Sequence, residues 1–201
     1  MPTFTDMTGL ASLAVAGAAA IALLPGIKRY SMTGLATLQG TVFVLMLIPI
    51  GSLPLAAYVR GATGDLSITT QVLLWCVLLR PWCKCEVANA RSRHALLMLI
   101  ALAALVLYPM ALGAGSFDPY RLGYGDPLFV SALLLVAMAA WFWKLLLIGL
   151  CIAFATLAWT IGWYESGNLW DYLFDPFVAI YALVAIMIHA VKTLSQPTIR
   201  G

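Results

Sequence analysis

The sequence predicts an all-α fold, a polytopic bundle of about seven transmembrane helices in one integral membrane domain over residues 1–201. Of its 201 residues, 63% are hydrophobic and 9% are charged, whereas roughly 25% of the residues in a soluble domain are charged. Several apolar runs approach the length of about 20 residues that crosses a bilayer. Lysine and arginine fall mostly on one side of these runs, which is typical of cytoplasmic loops.

Seven apolar runs are expected to form the helices, and short connections join them. We place the helices at residues 8–25, 34–59, 66–82, 95–114, 127–143, 145–163 and 175–192.

The first run is predicted to stay in the protein as a helix. No lysine or arginine precedes Lys28, so the run lacks the basic segment that opens a secretory signal peptide. The second run contains Pro49 and Pro54. Each proline removes a backbone donor and clashes with the preceding turn, so this helix must kink or break.

The third run has an alternative interpretation, because only residues 66–79 are free of charge and Gln71 interrupts them. It could be a re-entrant or interfacial segment. Without it as a span, three basic residues would lie inside and eight outside, whereas the seven-span arrangement gives nine inside and two outside. The positive-inside rule therefore favours seven spans.

The predicted topology puts the N-terminus outside and the C-terminus in the cytoplasm. Only Arg60 and Arg121 are then basic residues outside. The nine basic residues on the cytoplasmic side are Lys28, Arg29, Arg80, Lys84, Arg91, Arg93, Lys144, Lys192 and Arg200.

Acidic residues segregate in the opposite sense, and Glu86 alone lies inside. The outer face therefore carries two basic and seven acidic residues, a net charge of about −5, although acids contribute little to orientation. The outer acids are Asp6, Asp65, Asp118, Asp126, Glu165, Asp171 and Asp175.

Two outer loops, 116–127 and 163–176, are the candidate binding surface. Together they hold five carboxylates, one arginine, one asparagine and six Trp or Tyr residues. Such a set could bind a sugar or a cationic head group by stacking, cation–π attraction and hydrogen bonding. The alternative is an interfacial aromatic belt with hydrated acids. The candidate ligand-binding residues are Asp118, Arg121, Asp126, Glu165, Asn168, Trp170, Asp171 and Asp175.

Asp-Pro pairs begin two of the predicted helices, at Asp126 and Asp175. An aspartate before proline caps exposed amides at a helix start, so capping explains both residues without catalysis. Asp118, Glu165 and Asp171 are not explained this way. Arg121 could pair with any of them.

Residues 122–135, LGYGDPLFVSALLL, resemble the Gly-x-Gly-Asp motif of presenilin-type intramembrane aspartyl proteases. The resemblance implies that Asp126 works with a second aspartate from the preceding helix, since two carboxylates must share a proton. The preceding run, 95–114, contains no acid, and Pro127 follows the aspartate directly. The predicted side of the membrane is also opposite to the family's cytoplasmic pair.

The loop after the third helix contains Cys83 and Cys85, followed by His94. A Cys-x-Cys pair with a histidine could bind a soft metal, but structural zinc sites usually have Cys-x2-Cys spacing and four ligands. We interpret the thiols as free and expect no metal site and no cofactor.

Three functions remain open. The chain could be an accessory component of a cell-envelope system for lipids or lipid-linked saccharides, a transporter or flippase, or an enzyme using outer carboxylates. We favour the accessory component, located as a multi-pass protein in the cell inner (plasma) membrane. Its expected partners are membrane lipids and a larger membrane protein complex, and no nucleic acid.

Overall fold

The computed structural model describes residues 3–27, 30–82 and 89–195. Most of this part is helical, and the fold is nearly all-α. The elements in chain order are α1 (Phe4–Ala22), α2 (Met32–Leu47), β1 (Pro49–Ile50), β2 (Leu53–Pro54), α3 (Leu55–Thr63), α4 (Ile68–Leu79), α5 (Ala90–Pro109), a π-helical turn (Met110–Ala114), a 3-10 turn (Pro119–Gly123), α6 (Pro127–Phe142), α7 (Leu146–Thr160), α8 (Leu169–Leu173) and α9 (Pro176–Leu194).

The second predicted helix breaks at its prolines. Ile48 leaves the helical conformation, and β1 then pairs with β2 in a tight antiparallel turn. Gly51 has φ +76° in this turn, a conformation that glycine adopts without steric cost. The predicted single span 34–59 is therefore two helices, α2 and α3, and the second of them runs on to Thr63.

Polar side chains define most helix starts. Thr3 and Asp6 form a reciprocal capping box at α1, while Ser31, Ser67 and Asn89 cap α2, α4 and α5. These side chains accept hydrogen bonds from amides that have no partner within the helix.

The helices pack around one main core and two smaller clusters. Helix α1 packs against α2, α3 and α4; α7 contacts α4, α5 and α6; and α5 lies along α9. The main core joins α4 through α9, and the smaller clusters join α1 to α3 and α4.

Three described helical segments are long and apolar enough to cross a membrane: Phe4–Ala22, Ala90–Ala114 and Pro176–Leu194. Four shorter helices are also apolar: Met32–Leu47, Ile68–Leu79, Pro127–Phe142 and Leu146–Thr160. Large apolar side chains such as Leu135 and Trp141 of α6 are exposed. An exterior of this kind suits lipid rather than water, so the chain has the character of a membrane protein.

Hydrogen bonds between different helices and loops define two opposite ends of the helical bundle. At one end, Ser12 of α1 hydrogen-bonds to Tyr164 after α7, and Asp175 before α9 reaches the start of α4. At the opposite end, Ser92 of α5 accepts from the amide of Leu147 in α7. We call the first of these the acidic end, because it holds Asp6, Asp65, Asp118, Asp126, Glu165, Asp171 and Asp175.

Candidate functional site

The two predicted loops are joined by hydrogen bonds at the acidic end. The Asn168 side chain is fully buried; its Nδ2 donates to the carbonyl of Tyr120 at 2.9 Å, and its Oδ1 accepts from the amide of Trp170 at 3.0 Å. The indole of Trp170 donates to the carbonyl of Pro119, also at 3.0 Å. Gly123 allows this approach, since a Cβ there would lie 2.7 Å from the Trp170 ring.

A cavity of about 290 Å³ lies beside these loops. It is at the small end of ligand pockets, which typically measure about 300–1,000 Å³. Three carboxylates, five aromatic rings and a serine provide most of its wall. The lining residues are Asp65, Leu107, Tyr108, Tyr120, Tyr164, Ser166, Trp170, Asp171, Phe174, Asp175 and Pro176.

Asp171 is held in this wall by neutral hydroxyl groups. Tyr120 donates to its two carboxylate oxygens at 2.9 and 3.0 Å, and Ser166 donates to Oδ2 at 2.5 Å. A carboxylate offers about four acceptor sites. Asp171 is half-buried and can therefore still accept a hydrogen bond from a ligand.

Asp175 joins two helix starts. Its Oδ1 accepts from the amide of Val178 in α9 at 2.9 Å, while Oδ2 accepts from the amide of Ser67 and the hydroxyl of Thr70 at 2.9 and 2.5 Å. The residue as a whole is 5% exposed. The N-terminal dipoles of α4 and α9 both favour its negative charge, which explains how the charge is tolerated at such burial.

Asp65 carries a charge that the protein itself neutralises. Arg60 donates to both of its oxygens, at 2.7 and 2.9 Å, and to Asp6 at 2.9 Å. Glu165 lies 3.6 Å from the same guanidinium but is mostly exposed. The hydrogen bonds to Asp65 raise the pKa of Arg60 above its ordinary value.

Three tyrosines of the acidic end have a pKa above the usual value. Burial raises the pKa of Tyr164 to about 12, and its hydroxyl pairs with Ser12 at 3.0 Å. Burial, followed by the hydrogen bond to Asp171, raises the pKa of Tyr120 above the usual value. Burial likewise raises that of Tyr172. Phenol groups at this end therefore act as neutral donors.

Three of the eight predicted site residues line the cavity: Trp170, Asp171 and Asp175. Asn168 does not line the cavity but hydrogen-bonds to Tyr120 and Trp170, which do. Capping of α6 by Asp126 and of α9 by Asp175 is confirmed. The expectation that Asp118 is not a cap is wrong, because it accepts from the amide of Tyr120 at the start of the 3-10 turn.

The ion pair considered for Arg121 is not found within the described residues, where Arg121 is exposed and Arg60 makes all the ion pairs of the acidic end. Arg60 lies at the end of α3, beside the start of α1. That position depends on the break in the second helix, which sequence reasoning did not resolve into two helices.

Sequence reasoning missed the three lining residues outside the two loops, which are Asp65, Leu107 and Tyr108. For Asp65, the available sequence signal is its predicted position among the acidic residues of the outer face. Tyr108 lies at the end of α5 in an apolar run, where its ring contacts Phe174 edge-on at 6.1 Å between centroids.

At the opposite end, His94 of α5 and His189 of α9 have ring centroids 4.6 Å apart. Among the described residues, no three His, Cys, Asp or Glu side chains are grouped to hold a metal. Cys83 and Cys85, predicted as free thiols, lie outside the described residues.

Comparison with models of protein families, with curated proteins and with solved structures finds no match to this chain.

Proposed function

We propose that this chain is an accessory component of a cell-envelope system that assembles or transports lipids or lipid-linked saccharides. In this proposal it is a multi-pass protein of the cell inner (plasma) membrane and presents its acidic end outside the cytoplasm. The observation that carries the proposal is the cavity at that end, where carboxylates and aromatic rings converge. Such a surface suits a polar head group whose tail remains in the bilayer.

The proposed topology has seven spans, with the N-terminus outside. Its first support is the charge pattern of the sequence, because this topology gives nine basic residues to cytoplasmic segments and two to outer segments. Its second is the alternation of helix ends, because α4 and α9 begin at the acidic end whereas α5 and α7 begin at the other. The four shorter helices have 12–16 residues, about 18–24 Å at 1.5 Å per residue. Local thinning of the bilayer can accommodate them.

Binding is favoured over catalysis by the tasks that the carboxylates already perform. Asp118 and Asp126 cap helical turns, and Asp175 accepts three hydrogen bonds from two helix starts. Asp126, the residue of the Gly-x-Gly-Asp resemblance, accepts from the amides of Leu128 and Phe129 and does not line the cavity.

In a transporter, the broken second helix would be expected to form the substrate site, because discontinuous helices form such sites in transporters. Here the break at 49–54 is largely exposed on the surface and contributes no residue to the cavity. An accessory role therefore accounts better for the cavity.

Affinity purification in mild detergent tests the proposed function. A stoichiometric membrane partner is expected, and its yield should fall when the cavity wall is altered by Trp170→Ala but not by Arg121→Ala, which alters an exposed side chain of the neighbouring loop. Recovery of the chain without a partner, together with loss of function on replacing two carboxylates by asparagine, would favour an enzyme.

Topology is tested separately with single cysteines in a chain from which the four natural cysteines are removed. A cysteine at Gly167 should react with a membrane-impermeant maleimide on intact cells, and one at Arg93 should react only after lysis. The reverse pattern would overturn the orientation.

A further inference from the structure

The charge of the cavity is unbalanced. Of its three carboxylates, Asp65 is paired with Arg60, while Asp171 and Asp175 accept only from hydroxyl and amide groups. In the described part of the chain, no cation offsets these two negative charges. A ligand that brings a positive charge would be attracted at short range, where a low dielectric strengthens the interaction.

The aromatic lining complements that charge. Tyr108, Tyr120, Tyr164, Trp170 and Phe174 lie in the same wall as the carboxylates. Aromatic faces attract ammonium groups through their quadrupole, and such groups of rings recognise quaternary ammonium ligands. Carboxylate and rings together can replace the water around one small organic cation.

The side chains that would select a sugar are engaged elsewhere. The amide of Asn168 is buried and used in joining the two loops, and Arg121 does not line the cavity. Among the other hydroxyls of the lining, those of Tyr120 and Ser166 point to Asp171, and that of Tyr164 pairs with Ser12. A cavity of about 290 Å³ is also small for more than one head group.

We propose that the cavity of the acidic end binds an organic ammonium group, with Asp171 as its counter-ion and the surrounding aromatic rings as its walls. This inference rests on the proposed function and deepens it by naming the chemical class of the ligand. The ammonium group belongs either to a free amine or to a lipid head group. Half-buried Tyr120, Ser166 and Asp171 leave the cavity reachable from the outer surface.

Calorimetric titration of the whole chain in an uncharged maltoside detergent and sodium phosphate buffer tests the charge. The probes are choline chloride, ethanolamine hydrochloride and dimethylbutanol, the neutral carbon isostere of choline. At least one of the two amines should bind, and dimethylbutanol should bind at least about tenfold more weakly than it. Equal binding of the neutral isostere, or no binding of either amine, would overturn the inference.

Variants locate the site. Asp171→Asn should weaken amine binding by about tenfold or more. Asp126→Asn is the matched control, because it removes the same charge from the same end, does not line the cavity, and asparagine caps a helix equally well. Equal loss of binding in Asp126→Asn and Asp171→Asn would contradict the site. Helical circular dichroism establishes that each variant is folded.

Nanodiscs distinguish the two sources of the ligand. If the group belongs to a lipid, discs containing phosphatidylethanolamine or phosphatidylcholine should suppress amine binding relative to discs of phosphatidylglycerol alone. If it belongs to a free amine, the discs should give equal binding. Failure of the ammonium inference with a partner still recovered by affinity purification would leave the proposed function standing.

Discussion

Arg60 clasps Asp65, with its Nε and Nη2 atoms donating to the two carboxylate oxygens at 2.7 and 2.9 Å. Its Nη1 reaches Asp6 in the first turn of α1, so one guanidinium joins α1, α3 and the start of α4. The Arg60 side chain is only 17% exposed, which limits screening of these pairs by salt.

Replacing Arg60 by alanine should destabilise the packing of α1. Asp65, whose side chain is 20% exposed, would lose its charged donor, and a partly buried group left unpaired costs about 1–3 kcal/mol. We expect the free energy of unfolding, measured by titration with a denaturing detergent and followed by circular dichroism, to fall by about that amount. Arg121→Ala, at an exposed arginine, should change it by less than about 0.5 kcal/mol. Similar values for the two variants would contradict the role of Arg60.

Asp175→Asn should be costly although asparagine is a good cap. One oxygen can still cap α9, but the amide nitrogen then faces the donors Ser67 and Thr70, so two hydrogen bonds are lost. The expected loss in free energy of unfolding is about 2–3 kcal/mol.

Asp126→Asn provides the comparison for Asp175. Both hydrogen bonds of Asp126 go to the same oxygen, Oδ1, which asparagine retains. The expected change is within about 0.5 kcal/mol, measured by the same titration. A loss as large as that of Asp175→Asn would show that charge, rather than hydrogen-bond geometry, determines the cost.

Gly123→Ala should loosen the interlocked loops. A Cβ at this position would overlap the amide of Asn168 and lie 2.7 Å from the Trp170 ring. Overpacking of this kind costs about 1–3 kcal/mol, and tryptophan fluorescence should report the displaced ring.

Gly167→Ala is the control in the same pair of loops. A Cβ there meets nothing within 4 Å, so stability and fluorescence should remain close to those of the parent chain. If Gly123→Ala also left both unchanged, the close approach of the loops would be refuted.

Alkaline pH should weaken the acidic end. Burial raises the pKa of Tyr164 to about 12 from 10.0, so the folded protein keeps the phenol neutral while the unfolded chain ionises near pH 10. The stabilisation is fully present below pH 10 and is lost as pH rises from 10 to about 12, by an amount on the order of 2–3 kcal/mol.

The difference in tyrosinate absorbance between the parent chain and Tyr164→Phe measures this titration. Under conditions where circular dichroism shows a folded chain, the difference should develop near pH 12. The phenylalanine variant loses the Ser12 hydrogen bond but should depend less on pH between 10 and 12. A difference that develops near pH 10 would rule out a buried phenol.

Local chemistry made several features predictable. Asp before Pro predicted the starts of α6 and α9, since a capping carboxylate and a preset proline φ act within three residues. Pro49 and Pro54 predicted the interruption of the second helix, because each removes a backbone donor and clashes with the preceding turn. The predicted helices and the acidic character of one end follow from composition and charge placement, which need no knowledge of contacts.

The amino-acid sequence by itself determined a helical, apolar chain with acids gathered in a few loops, because hydrophobic burial and backbone capping depend on residue type and spacing. Only the tertiary structure decided which arginine forms ion pairs with those acids and which of the acids line a cavity. Arg60 rather than Arg121 binds the carboxylates, and Asp65 meets Asp171 and Asp175 in one wall. Arg60 and Asp6 are 54 positions apart in the chain, and Asp65 is far in the chain from Asp171 and Asp175, so these approaches depend on how the helices pack rather than on any local preference.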